Sequence, residues 1–133
     1  PEERKRALQL RAESLARQGR LTELDETLAD LEQLGASTAE LDLARGRAAA
    51  RVGENDAAIA ALERALDATR PSLSERQRLQ ALLVLGSVYQ RTGNYPEALA
   101  QYRRARDIDP GHPTVTRFFD QLSERRGEPA GSN

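Results

Sequence analysis

Arginines recur at one fixed place in the sequence. Arg17, Arg51 and Arg91 each stand two residues before a glycine. Arg47 precedes Arg51 by four residues, about one helical turn. A guanidinium group can bind a carboxylate through two parallel hydrogen bonds, so a spaced row of arginines would suit an acidic or C-terminal peptide. A second interpretation stays open, in which these arginines solvate the carboxyl ends of helices and complement the helix dipole.

The residue types of active sites and metal centres are scarce in the chain. There is no Cys and a single His, His112, which lies in the sequence DPGHP, a pattern typical of a solvated turn. His and carboxylate residues do not cluster with metal-ligand spacing, and the isolated glycines do not form a phosphate-binding loop. We therefore expect no catalysis, no metal and no cofactor within these residues.

The composition favours packed helices and excludes several classes of partner. A chain of 133 residues fits one domain, and 38% hydrophobic with only 4% aromatic residues favours helix–helix packing over sheets. A net charge of −1 argues against nucleic acid and membrane surfaces as partners, and no apolar run is long enough to insert into a membrane. Lys5 is the single lysine among 20 basic residues, which favours a bacterial source, with the cytoplasm and the periplasm both open.

Three glycines mark an internal repeat. Gly19, Gly53 and Gly93 are separated by 34 and then 40 residues, and the positions around them agree in type. A small residue stands seven residues before each glycine, and Leu or Ala stands five and twelve residues after it. These residues are Ala12, Gly46 and Gly86; Leu24, Ala58 and Ala98; and Leu31, Ala65 and Ala105. Since seven residues make two helical turns, each glycine ends a helix whose small residue lets the next helix approach closely.

The repeat predicts seven helices, arranged as three pairs and a final helix. The pairs are 5–18 with 21–34, 38–52 with 55–68, and 74–92 with 95–108, and the last helix is 113–126. Ser37-x-x-Glu40 and Ser72-x-x-Glu75 match capping boxes and predict two helix starts. The spacing between Gly53 and Gly93 is six residues longer than the spacing between Gly19 and Gly53. The extra residues are 73–78, and we expect them to lengthen the fifth helix by about two turns.

Residues 79–112 resemble a tetratricopeptide repeat. The positions that carry the resemblance are Leu82, Leu85, Gly86, Tyr89, Ala98, Tyr102, Ala105 and Pro110. Residues 39–72 resemble the same motif, with Asp42 in place of a large apolar residue. Residues 5–38 are a weaker copy, in which Leu24 and Leu31 replace small residues and put the close approach of the first helix pair in question.

The resemblance implies an all-α fold, a right-handed superhelical solenoid of antiparallel helix pairs. A single domain is expected over residues 1–126, in which 113–126 is a helix that caps the stack, and residues 127–133 are expected to form a flexible tail. In this family the first helices of the pairs line a concave groove that binds extended peptides. The resemblance therefore implies a non-catalytic scaffold with a protein or peptide partner.

The residues expected in the groove follow from the arginine row and its neighbours. They are Arg17, Arg47, Arg51, Ser87, Gln90 and Arg91, and they favour an acidic partner. Phe118 lies off the apolar stripe of Val115, Phe119 and Leu122 in the last helix. We therefore expect the Phe118 ring to contact a partner.

Two other functions remain open. The acidic stretch 21–42 and the patch Arg103–Arg106 have opposite charges, so pairing between copies would give a homo-oligomer and a self-assembling structural module. The other alternative is a regulatory or targeting appendage of an enzyme or secretion component. It requires further residues, and the missing initial Met with the terminal sequence GEPAGSN predicts a segment of a longer protein.

Overall fold

Seven α-helices form the part of the chain that the computed structural model describes, residues 1–125. They are α1 (Glu2–Gln18), α2 (Leu21–Gln33), α3 (Thr38–Arg51), α4 (Asn55–Asp67), α5 (Glu75–Arg91), α6 (Tyr95–Ile108) and α7 (Pro113–Arg125). No strand occurs in this range, so the predicted all-α class is confirmed, and the predicted helix bounds agree within three residues. The predicted tail 127–133 and residue 126 of the cap helix lie outside the described residues.

The helices pack as a stack of pairs. α1 packs on α2, α3 on α4 and α5 on α6, while α3 also contacts α1 and α5, and α7 closes the stack against α6. One buried cluster runs from Leu43 in α3 through Leu62 and Leu82 to Val115 in α7. The core therefore extends along the stack, as in a helical solenoid, and the first helices α1, α3 and α5 lie side by side.

The three pairs share one turn. Gly19, Gly53 and Gly93 have φ values of 71°, 82° and 82°, the left-handed region that glycine adopts without a steric penalty. The residue after each glycine donates its backbone N–H to a carbonyl five residues back, with N–O distances of 3.0, 2.9 and 2.8 Å in chain order. These bonds close the end of the first helix as in a Schellman motif, and the predicted positive φ is confirmed.

The start of α5 differs from the prediction. Ser37 does cap α3, since its hydroxyl accepts the Glu40 N–H at 3.4 Å. The cap of α5 is Ser74 instead of Ser72, because Ser74 and Gln77 exchange both bonds of a capping box, at 3.2 and 2.9 Å. The intervening Leu73 is buried. α5 has 17 residues against 14 in α3, so the extra residues add less than one turn and the rest lengthen the preceding loop.

The first helix pair is filled differently from the other two. Leu24 and Leu31 of α2 are 0% and 3% exposed, so both large side chains lie in the core where the other pairs have alanines. α1 and α2 contact each other less extensively than α3 and α4 do. This less extensive contact agrees with the expectation for this copy.

Small residues allow the close approach of the other pairs, and Gly86 tests this directly. A Cβ added at Gly86 would lie 2.9 Å from the ring of Tyr102, which is 2% exposed and cannot move aside. Ala forms helices better than Gly by about 1 kcal/mol, but we expect Gly86→Ala to destabilise the protein by about 1–3 kcal/mol through overpacking. Urea unfolding measures this, with the exposed neighbour Ser87→Ala as control. A stabilised Gly86→Ala protein would contradict the packing of α5 on α6.

Candidate functional site

A groove with a volume of about 650 Å³ crosses the first helices of the three pairs. Its polar lining comes from all three helices. These residues are Gln9, Glu13 and Arg17 of α1, Glu40, Arg47 and Arg51 of α3, and Gln77 and Gln80 of α5. Alanines such as Ala12, Ala16, Ala44 and Ala48 line the space between them and keep it open. Three of the arginines expected in a groove thus share one cavity.

Charge is distributed unevenly across this groove. Arg17 and Arg51 stand in the last turns of α1 and α3, and Arg47 lies one turn before Arg51. Glu40 lies in the first turn of α3, about 16 Å from Arg51 along the helix axis at 1.5 Å per residue. All three arginines are exposed, and none forms an ion pair within residues 1–125. One edge of the groove therefore offers guanidinium groups for an incoming carboxylate.

Arg91 does not join this row. Its Nη2 donates to the Ala50 carbonyl oxygen at 3.1 Å and to Asn55 Oδ1 at 2.7 Å, so the side chain lies across the turn of the preceding pair. The residue equivalent to Asn55 in the first pair is Leu21, which offers no side-chain oxygen to Arg51. The guanidinium of Arg91 therefore lies against hydrogen-bond acceptors one repeat earlier and does not line this cavity, and its contact with a partner stays a prediction.

This difference predicts a stability effect that separates two arginines at equivalent positions. Arg91→Ala should lower the free energy of unfolding by roughly 1 kcal/mol, since two charge-assisted hydrogen bonds at a solvated site are lost. Arg51→Ala should leave it within about 0.5 kcal/mol, as for most exposed surface substitutions. Urea unfolding followed by circular dichroism compares the two variants. An equal loss for both would contradict the structural role of Arg91.

Ser87 and Gln90 also lie outside the groove that holds the three arginines. Ser87 is exposed on α5 but does not line the cavity. Gln90 accepts a hydrogen bond from the hydroxyl of Tyr102 at 3.4 Å and lines a second pocket. The two neutral residues expected beside Arg91 are therefore not brought together with Arg17, Arg47 and Arg51.

Phe118 lies mostly in the core, while part of its ring lines the second pocket, and the expected partner contact stays a prediction. Its ring is 7% exposed and stacks on Tyr102, with centroids 4.2 Å apart and planes at 26°. Phe119 takes the more exposed place, where the guanidinium of Arg106 lies 4.2 Å from its ring centroid. The apolar stripe of α7 therefore includes Phe118 as well as the half-buried Phe119, because the ring of Tyr102 in α6 stacks on Phe118.

The second pocket, of about 340 Å³, lies where the end of α5, the start of α6 and α7 meet. Its lining is mainly apolar, from Tyr95, Pro96, Leu99, Phe118 and Leu122, with Gln90, Gln121 and Arg125 at polar positions. The guanidinium of Arg125 lies 5.1 Å from the Tyr95 ring centroid. Sequence reasoning missed this pocket, although Arg125 follows Arg91 by the same 34 residues that separate Arg17 from Arg51.

Several charges of the acidic stretch 21–42 are paired inside the chain. Asp25 binds Arg45 Nε at 2.9 Å, and Glu23 binds Arg20. Asp42, which replaces a large apolar residue of the repeat, accepts bonds from Arg45 at 3.2 Å and from Arg64 of α4 at 3.3 Å. This pairing links α3 to α2 and α4 and leaves fewer acidic groups for contacts with another copy.

Two tyrosines have raised pKa values. Burial raises the pKa of Tyr102, and burial with the nearby Glu63 and Glu97 raises the pKa of Tyr89. Both phenols therefore stay protonated at neutral pH.

Among residues 1–125 there is no group of three or more His, Cys, Asp or Glu that could hold a metal ion. None of the helices in the same range has the length and apolar character that crossing a membrane requires.

Comparison with protein families supports the repeat. The family model described as tetratricopeptide repeat matches residues 37–110, more than half of the chain. The match covers the second and third helix pairs, with Arg47, Arg51 and Arg91, and does not extend to Arg17 or to α7. Among curated proteins, no sequence matches the chain.

Proposed function

The chain belongs to the tetratricopeptide repeat family, and we propose that it is a non-catalytic scaffold that binds its partner in the groove across α1, α3 and α5. Repeats of this family are typically interaction modules that bind proteins or peptides. The finer proposal is that the bound segment is extended and acidic. It is supported by one observation above all, the convergence of Arg17, Arg47 and Arg51 in a single cavity.

Size and charge both support an acidic segment of a partner. A cavity of about 650 Å³ is within the range of pockets that enclose a ligand or several residues of a peptide. Guanidinium groups that form no ion pair within residues 1–125 lose little when a carboxylate arrives, because no ion pair in that range has to break first. Glu13 and Glu40 also line the cavity. A run of acids confined to the arginine edge would therefore bind better than a uniformly acidic peptide.

The self-assembling alternative has less support. It requires Arg103–Arg106 of one copy to meet the acidic stretch 21–42 of another, but Arg106 already lies over Phe119 and Asp25 is paired with Arg45. An appendage of a larger enzyme or secretion component is compatible with the binding proposal, since the groove would then recruit the partner for that larger protein.

Capture of partners from the native source, followed by hydrogen exchange on the complex, tests where the partner binds. We expect added protection of backbone amides in the last turns of α1 and α3, which carry the three arginines. The second helix α4 serves as an internal control, because none of its residues lines the groove. Protection confined to α4 would contradict the proposal.

A further inference from the structure

The apolar pocket beside α7 lies on the same edge of the stack as the arginine row. Arg17, Arg51, Arg91 and Arg125 occupy equivalent positions near the carboxyl ends of α1, α3, α5 and α7. The pocket is bordered by Gln90 at the end of α5 and by Arg125 at the end of α7. A peptide that follows the arginine edge past α3 and α5 would therefore arrive at this pocket.

The lining of the pocket is suited to a ring rather than to a charge. Its carbon-rich walls come from Tyr95, Leu99, Leu122 and the edge of Phe118, and its volume of about 340 Å³ is large enough for one aromatic side chain. Tyr95 is 44% exposed, unusual for a large aromatic side chain in this chain, where Tyr102 is 2% and Phe118 7% exposed. A ring bound there would cover the exposed face of Tyr95 and stack in the preferred centroid range of about 4.5–7 Å.

Arg125 adds a charge preference at the rim. Its guanidinium lies 5.1 Å from the Tyr95 centroid and forms no ion pair within the described residues. A carboxylate next to the incoming ring could pair with Arg125, as an acidic residue further along the peptide would pair with Arg51. The apolar walls and the cationic rim of the pocket thus both favour a peptide in which an aromatic residue stands next to an acidic one.

We infer that this pocket binds one aromatic side chain of the acidic segment whose carboxylates the arginine edge receives, an inference that rests on the proposed function. The spacing follows from the helices. Neighbouring packed helices lie about 8–10 Å apart, so the pocket is one to two such steps from Arg51. An extended chain advances about 3.3 Å per residue, which places the aromatic residue about two to six residues from the acidic group.

Selection from a displayed library of random peptides on the purified full chain tests both the acidic ligand of the groove and the aromatic side chain in the pocket. Enriched peptides should contain a cluster of Asp or Glu and one Trp, Phe or Tyr at the stated spacing. An enriched peptide is then synthesised with Trp as its aromatic residue. Because the protein contains no Trp, the peptide's fluorescence reports directly on whether that side chain enters an apolar site.

The variant Tyr95→Ala should weaken binding of this Trp peptide about tenfold, as expected when a central aromatic contact is truncated, and should reduce the blue shift of its emission. Leu10→Ala is the matched control, since Leu10 is a 56% exposed apolar residue that does not line the pocket. It should bind like the original protein. Circular dichroism of Tyr95→Ala should be unchanged, because the ring packs mainly at the surface.

The possible outcomes distinguish a failure of the pocket inference from a failure of the proposed groove function. Enriched acidic peptides without an aromatic residue, bound equally by Tyr95→Ala, would overturn the pocket inference and leave the proposed function intact. Failure to enrich any peptide would overturn both. If ligand-free protein dimerised and Tyr95→Ala abolished the dimer, the pocket would belong to a contact between copies and the inference would be wrong.

Discussion

Replacing Ala105 by Arg is expected to lower the free energy of unfolding by about 3–5 kcal/mol, the cost of an uncompensated buried charge. Ala105 is 0% exposed and belongs to the cluster that joins α5, α6 and α7. No carboxylate in that cluster can pair with the new guanidinium, and the side chain can reach water only if α6 separates from α5. Ala98→Arg should behave in the same way, because Ala98 is also 0% exposed.

The same helix provides the control for this prediction. Ala100 is exposed on α6, so Ala100→Arg makes the same chemical change without burying a charge and should alter stability by no more than about 0.5 kcal/mol. Thermal and urea unfolding followed by circular dichroism measures all three variants. A melting curve for Ala98→Arg or Ala105→Arg that matches the Ala100→Arg curve would contradict the packing of the small residues.

The repeat could be predicted from sequence because its signals are local. A glycine with φ near 80° is needed wherever a helix closes with the turn found here, so Gly19, Gly53 and Gly93 reveal that turn directly. Ala98 and Ala105 similarly mark the face along which two helices approach. The turn glycines and the small residues around them, repeated three times, therefore indicate three helix pairs and the faces that pack.

The site was only partly predictable because it depends on neighbours that are distant in sequence. Whether an arginine before the turn glycine enters the groove is decided one repeat earlier, by Asn55 for Arg91 and by Leu21 for Arg51. The burial of Phe118 depends on the ring of Tyr102 in α6, on which the Phe118 ring stacks. The periodicity of residues within one helix predicts neither the position of these arginine side chains nor the burial of Phe118.

The Arg47→Ala/Arg51→Ala double variant should bind the captured partner at least tenfold more weakly than the original protein. Both side chains are exposed, line the same cavity and stand one helical turn apart. A hydrogen bond to a charged group contributes about 1.5–3 kcal/mol, and exposure to water and salt reduces this. Two such losses still exceed the roughly 1.4 kcal/mol that corresponds to a factor of ten.

Arg103→Ala/Arg104→Ala is the matched control for that variant. This control also removes two positive charges, but from exposed positions on α6 that do not line the groove. If general electrostatic attraction governed binding, the two double variants would lose affinity equally. If the groove binds the partner, only the variant on α3 should lose affinity, and both should keep full helicity.

Equilibrium titration of the captured partner against the original protein and these two double variants tests the groove most directly. The groove account predicts a dissociation constant at least tenfold higher for Arg47→Ala/Arg51→Ala, and a value close to the original for Arg103→Ala/Arg104→Ala. Equal affinity of all three proteins for the partner would contradict it, and would mean that the arginines of α3 only solvate the end of a helix.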